Sequence, residues 1–284
     1  MAQITSQMLA DLEPEIRAAA FYHLYKRAIL LPLVYVKDTS GEAGLTSSFP
    51  TLPTLLAQDV AETDPTPETT IESAVEDIRV SEKELNLPLT DMTKAAVGSS
   101  IVLTIGEMVG SAMARKLDRD IAAVFGNFTK VYGSAGAALT AGVPTKAAAI
   151  LANNEAPGSI YGALHPYQAL GMKDALTNAF GSGTMNPPSE MKANEVLYQN
   201  YLGTLGGAHL LESAAIQADA NGDAYGAIFS RLAIGVNMKQ PFELELERNG
   251  VGRTTHILGH GKWGVKAINP QFGVSMLSDC SEPA

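Results

Sequence analysis

The stretch VEDIRVSEKELNLPLTD, residues 75–91, together with the periodic run that follows it, decides the fold. From Thr69 the chain alternates, with Ile71, Ser73 and Val75 on one face and Ile78 and Val80 resuming after a shift at Glu76 and Asp77. Period-two alternation marks a half-buried strand, and a one-residue slip is what a bulge produces. Upstream, residues 44–67 hold Pro50, Pro53, Pro65 and Pro67, too many for a helix because each removes an amide donor. Two extended arms around a proline-rich region predict a long hairpin. Between Asp59 and Asp91 ten acids stand against only Arg79 and Lys83, so the ribbon is strongly negative. An isolated two-stranded ribbon is marginal in water, so another surface must cover it.

Working outward, Thr90 or Asp91 caps the longest helical pattern of the chain. Val97, Ile101, Ile105, Met108, Ala112, Met113, Leu117, Ile121, Val124 and Phe125 keep three-or-four spacing. Ser100, Thr104, Glu107, Ser111, Arg115 and Asp118 form the opposing stripe, which makes the helix amphipathic. Unbroken from Thr93 to Phe125 it would span on the order of 50 Å. Gly98, Gly106 and Gly110 each weaken it by about 1 kcal/mol relative to alanine, which predicts a neighbour's backbone close by, or a kink.

Before the hairpin, Pro14 to Arg27 reads as a helix with Ile16, Ala19, Ala20, His23 and Leu24 on one face, and Leu30 to Val36 as a short strand. After the long helix, Pro144 opens a helix through Leu151, Ile160 to Leu164 is a strand, and Tyr167 to Phe180 is a further helix. Strands follow Asn194, and Tyr225–Phe229 and Leu232–Val236 look buried. Phe242, Leu244 and Leu246 interleave with Glu243, Glu245 and Glu247 in a strand that Asn249-Gly250 ends. Thr254–Leu258, Trp263–Ile268 and Phe272–Leu277 supply further short elements, and the fold class is α+β.

The 284 residues imply one large unit or two joined lobes, and 46% hydrophobic with 18% charged residues is ordinary for a folded chain. A net charge of −10 repels nucleic acid, which argues against sequence-specific DNA binding. No apolar run reaches the roughly 18–20 residues of a membrane span, and no secretory signal opens the chain, so the expectation is a soluble protein made inside the cell, without a membrane partner. Cys280 is the only cysteine, which excludes an intrachain disulfide and a cysteine-built zinc site.

The order of elements resembles that of the tailed-bacteriophage major capsid proteins of the Hong Kong 97-type fold. The similar phrases are LPLVYVKD (31–38), VEDIRVSEKELNLPLTD, ALHPYQALGMKDAL (163–176), GAIFSRLAIGV (226–236) and WGVKAINPQFGV (263–274), which together spread over nearly the whole chain. The resemblance implies an N-terminal arm at 1–43, an extended loop at 44–91, a spine helix of the peripheral domain at 92–126, an axial domain at 127–250 and returning peripheral strands at 251–284. It implies a virion capsid protein, assembled in the host cytoplasm into hexamers and pentamers of an icosahedral head. Its partners would be other copies of itself, a portal, a separate scaffolding protein, a decoration protein in some heads, and packaged double-stranded DNA contacted non-specifically. No cofactor, metal or catalytic residue is expected.

Candidate contacts between subunits follow from charge. Arg115, Lys116 and Arg119 cluster near the end of the long helix, and Asp59, Glu62, Asp64, Glu72, Glu76 and Asp77 belong to the acidic hairpin. One copy's acids are expected to meet the next copy's cations; the bland alternative is a solvated helix end whose cations suit the C-terminal dipole. Some family members weld subunits by an isopeptide bond from a loop lysine, and the absence of lysine between Lys37 and Lys83 predicts no such weld here. Because the chain begins almost directly with the arm, a separate scaffold or a processed product is expected.

Other motifs fail on chemistry. His256 and His260 are four apart, but Gly259, Gly261 and Gly264 disfavour the helix that would bring them onto one metal. His165 before Pro166 reads as a turn residue. Gly259-His260-Gly261-Lys262 lacks both the upstream glycine and the following Ser or Thr of a phosphate loop. Gly106-x-x-x-Gly110 encloses Glu107, which suits a tight soluble contact rather than a membrane pair. Trp263 is a core or interface anchor. Two alternatives stay open: a cellular compartment shell holding a cargo enzyme, and an α+β enzyme whose site only the folded chain assembles.

Overall fold

The computed structural model describes residues 28–51, 59, 74–93, 100–140, 142–178 and 203–283, together with 18, 20, 22 and 24. In chain order these form β1 (Tyr35–Asp38), β2 (Thr46–Thr51), β3 (Ala74–Arg79), β4 (Ser81–Thr90), α1 (Ser100–Ala122), β5 (Lys130–Gly133), α2 (Gly142–Asn153), β6 (Ile160–Leu164), α3 (Pro166–Asn178), β7 (Thr204–Leu205), β8 (Ala208–Glu212), β9 (Asp223–Ser230), β10 (Ile234–Asn249), β11 (Thr254–Ala267) and β12 (Gly273–Asp279).

A four-stranded sheet runs β1-β10-β11-β4. The alternation expected around Phe242 holds: Phe242 and Leu244 are buried while Glu245 and Glu247 face water. The register of β10 against β11 shifts between Met238 and Glu243, the stretch that contains Pro241, where the ladder loses a donor. The buried face receives α1, whose Val109, Met113, Leu117 and Ile121 share one core with Phe242, Leu244, Ile257 and Trp263.

A six-stranded sheet runs β5-β12-β9-β6-β8-β7. Ala147, Ala148 and Leu151 of α2 and Ala169 and Met172 of α3 pack on Leu164, Leu210, Ile228, Val274 and Met276. Phe229 points the other way and meets Phe125 and Phe128, with ring centroids 5.4 and 6.5 Å apart, which joins this sheet to the core under α1.

Five sequence readings need correction. Leu31–Leu33 is a 3-10 turn with Pro32 in its first positions, and the strand starts only at Tyr35, because proline's fixed φ suits a helical turn better than a ladder. The β2–β3 register is unbroken from Thr46↔Arg79 to Thr51↔Ala74, so no bulge sits at Glu76–Asp77, and the Val80 amide carries the same register one residue further by bonding Leu45 O at 2.9 Å. Residues 81–90 are not hairpin: β4 pairs with β11 along its whole length. Thr254–Leu258 and Trp263–Ile268 are one continuous strand, and its glycines are filled rather than broken, since a Cβ on Gly259 would lie 2.5 Å from Val109 Cγ1 and one on Gly264 2.3 Å from Arg79 O. On α1, Ser111 and Asp118 of the supposed outer stripe are buried, and Met108 of the supposed inner stripe is 59% exposed.

The close approach expected at the helix glycines occurs at Gly110, where a Cβ would sit 2.2 Å from Ala20 O. Ala20 and Leu24 are helical and buried, as the N-terminal pattern requires. Most of residues 14–27, and the proline-rich span at 52–58 and 60–73, lie outside the described residues.

Candidate assembly surface

The hairpin root is built onto the body by side chains from both partners. Phe49 of β2 and Ile78 of β3 are each 2% exposed and close a small core with Ile268. Tyr35 meets Phe49 edge-on with centroids 5.9 Å apart, and Lys37 Nζ lies 5.5 Å from the same ring. The opposite face of the ribbon is bare, with Val75 55% exposed beside its cross-strand partner Pro50.

The sequence-predicted acids fall into two groups. Glu76 pairs with Lys266 of its own chain at 2.6 Å, and Asp77 accepts from Ser48 Oγ at 2.6 Å. Asp59 is exposed, while Glu62, Asp64 and Glu72 lie outside the described residues. The cations are likewise divided. Lys116 pairs with Asp120 at 2.6 Å, one turn along α1, and Arg115 Nε donates to Ser111 O at 3.3 Å. Arg119 ends the helix, where a cation complements the dipole. All three are exposed on one stretch of α1. Arg115 and Arg119 therefore remain the side chains of this trio without an acidic partner among the described residues.

Two polar nodes behind this surface escape a reading by stripes. Asp118 accepts from the amides of Ile29 at 2.9 Å and Leu30 at 3.1 Å, so α1 holds the segment that leads into β1. Burial pushes its carboxyl above the ordinary range, and those same amides pull it back. A signal was present: Ala114, Ile121 and Ala122, its neighbours at i−4, i+3 and i+4, are all apolar. At the second node Trp263 Nε1 donates to Asp120 Oδ2 at 3.0 Å, while Lys83 Nζ lies 5.4 Å from the indole and donates to Trp263 O at 3.0 Å. Burial pushes the Lys83 ammonium below its usual value, with nearby Asp120 opposing and Lys116 assisting.

The histidines among the described residues are strand and turn residues. His256 and His260 lie on β11, where four residues cover about 13 Å, too far to share one ion. His256 Nδ1 meets Asn86 Oδ1 at 2.9 Å, and His260 Nε2 stands 3.5 Å from Glu243. His165 Nδ1 accepts from the Tyr167 amide at 3.2 Å, at the start of α3.

No family model and no curated protein matches the chain. Solved structures do. A chain from the structure of Mycobacterium phage Che8 matches with a TM-score of 0.67 at 17% identity, over 88% of this chain and 90% of that one. The capsid structure of the cyanophage P-SCSP1u matches with 0.66 at 15% identity, over 89% of each chain. The crystal structure of a virus-like particle from Pyrococcus furiosus matches with 0.61 at 12% identity, over 93% of this chain and 98% of that one. The mixed α+β fold of this chain is the fold found in these phage and particle structures.

Proposed function

We propose that the chain is the major capsid protein of a tailed phage, a non-enzymatic subunit that assembles into hexamers and pentamers of an icosahedral head. The observation that carries this reading is the hairpin: its root is locked to the body by Phe49, Ile78 and Ile268, and it leads into an acid-rich span in which, from Asp59 to Val80, seven acids stand against the single cation Arg79. A rigid root and a like-charged ribbon suit a contact made on another copy. Arg115 and Arg119 are the cations we assign to that contact, with Lys116 held by Asp120 as a support.

In this reading residues 1–43 form the arm, 44–91 the extended loop, 92–126 the spine helix, 127–250 the axial domain and 251–284 the returning strands. Strand pairing adds one qualification: β4 belongs with β11, and β12 with β9 and β5, so loop and domain share sheets across these boundaries. The Hong Kong 97-type assembly, a scaffolding protein, a portal and enclosed double-stranded DNA follow as parts of the same proposal.

A cellular compartment shell is the second reading, favoured by the likeness to the Pyrococcus furiosus particle. Neighbouring genes separate the two: terminase and portal genes favour a phage head, a cargo-enzyme gene the compartment. Sedimentation of the concentrated protein, alone and with a candidate scaffold, tests both. Large uniform particles support a shell subunit, and a monomer at every concentration removes it.

A further inference from the structure

We propose that Asn237 is the residue that positions the hairpin, fixing the direction in which β2 and β3 leave the body. This rests on reading the hairpin as a contact arm between copies. Asn237 sits on β10 and is 1% exposed. Its Oδ1 accepts from Thr39 Oγ1 at 2.7 Å, and its Nδ2 donates to Ile78 O at 3.0 Å. A backbone carbonyl can only accept, so the amide orientation is determined by the bond to Ile78. Thr39 stands on the chain entering β2, and Ile78 is the penultimate residue of β3. One buried side chain thus holds both roots of the ribbon against the sheet.

The surroundings explain why this position is polar inside an apolar strand. Thr39 is itself 4% exposed, and its amide bonds Met238 O at 2.9 Å. Lys239 Nζ donates to Thr39 O at 3.1 Å and also bonds Glu42 O. Next to Asn237, Gly235 leaves room for Ile268 and Ile78, since a Cβ there would lie 2.2 Å from Ile268 Cδ1 and 3.0 Å from Ile78 Cδ1. An apolar replacement would remove the one side chain that links the Thr39 hydroxyl to the Ile78 carbonyl in a closed interior; the hydroxyl would keep only its long contact to Met238 O at 3.5 Å, and the carbonyl only its place in the ladder opposite Ser47. The buried cluster of Phe49, Ile78 and Ile268 holds the root by non-directional packing, and its other polar side-chain ties to the body or across the ribbon, Lys37 to Ser48 O, Lys266 to Glu76 and Ser48 to Asp77, lie at the surface, where such contacts contribute little. Orientation is a role for which a single buried polar residue is suited, because its bonds are made in one geometry only.

The test uses the full chain with Cys280→Ser and spin labels on Val75→Cys and Val131→Cys, both at exposed positions of the ribbon and of the six-stranded sheet. The parent should give one narrow distance distribution. Asn237→Leu should broaden it and speed amide exchange in β2 and β3 on the order of tenfold, while protection in β9 and β12 is unchanged. Thr39→Val, which removes one of the two bonds, should give a smaller change of the same kind and serves if Asn237→Leu does not fold. An unaltered distribution in both variants, or exchange that rises equally throughout the chain, overturns the proposal. Failure of the parent protein to form shells would instead remove the proposed function and leave this result standing.

Discussion

Gly110→Ala and Gly171→Ala add the same methyl group to a helix, and we predict opposite signs. Alanine is favoured over glycine in a helix interior by about 1 kcal/mol. At Gly171 in α3 the new Cβ would meet Ala138 Cβ at 3.6 Å and Leu139 N at 3.9 Å, ordinary contact distances, so most of that gain is realised and stability rises by roughly 0.5–1 kcal/mol. At Gly110 the same atom would lie 2.2 Å from Ala20 O and 2.9 Å from Ala20 C and Cα. These are backbone atoms, so no side chain can rotate away, and the N-terminal segment must retreat by about 1 Å. Overpacking of this kind costs about 1–3 kcal/mol, and a rigid obstacle places it in the upper part of that range. Set against the helix gain, the expected net loss is about 1–2 kcal/mol. Urea unfolding followed by Trp263, the single tryptophan and 2% exposed, reads both variants on one scale. Hydrogen exchange at residues 18–28 should rise in Gly110→Ala alone. Equal stabilisation by the two substitutions would refute the packing of Ala20 on α1.

Three further outcomes are expected. Arg115→Glu with Arg119→Glu should abolish or misdirect particle formation while thermal unfolding moves by no more than about 0.5 kcal/mol per site, as exposed residues allow; normal particles seen by electron microscopy would discard the pairing with the acidic hairpin. Trp263→Phe keeps most of the buried area but loses the bond to Asp120, so a loss of about 1.5–3 kcal/mol by thermal circular dichroism is predicted, and a change below about 0.5 would make that bond incidental. Burial pushes His165 below its ordinary value of 6.5, so the folded state binds fewer protons than the unfolded chain just below that pH. Its contribution is therefore complete above 6.5 and declines as pH falls beneath it, and His165→Gln should flatten that part of the stability profile relative to the parent.

Much of the architecture was legible because it rests on local periodicity. Ile160 to Leu164, the helix after His165 and the Phe242–Leu246 alternation each signal themselves within a few residues, and the structure has all three. What could not be read is set by partners distant in the chain. Residues 81–90 alternate as well as any hairpin arm does, and only β11, some 170 residues on, draws them into the larger sheet. The glycines of β11 look like breaks until Val109, Phe242 and the Arg79 carbonyl are seen to need their space. Asp118 was placed outward by type, yet it faces inward because the amides of Ile29 and Leu30 await it, and Asn237, which no pattern singles out, faces inward toward the Ile78 carbonyl. Of the candidate contact residues, the charge pattern located the cluster on α1, whereas the pairing of Lys116 with Asp120 and of Glu76 with Lys266 depends on geometry that spacing alone does not set.

Cryo-electron microscopy of the purified chain, with and without a scaffold partner, bears most directly on the claim that copies of this polypeptide complete one another. We predict closed particles in which density for residues 44–80 of one subunit lies on its neighbour, within reach of Arg115 and Arg119. Particles in which that ribbon folds back on its own subunit, or an absence of particles under every condition, would contradict it.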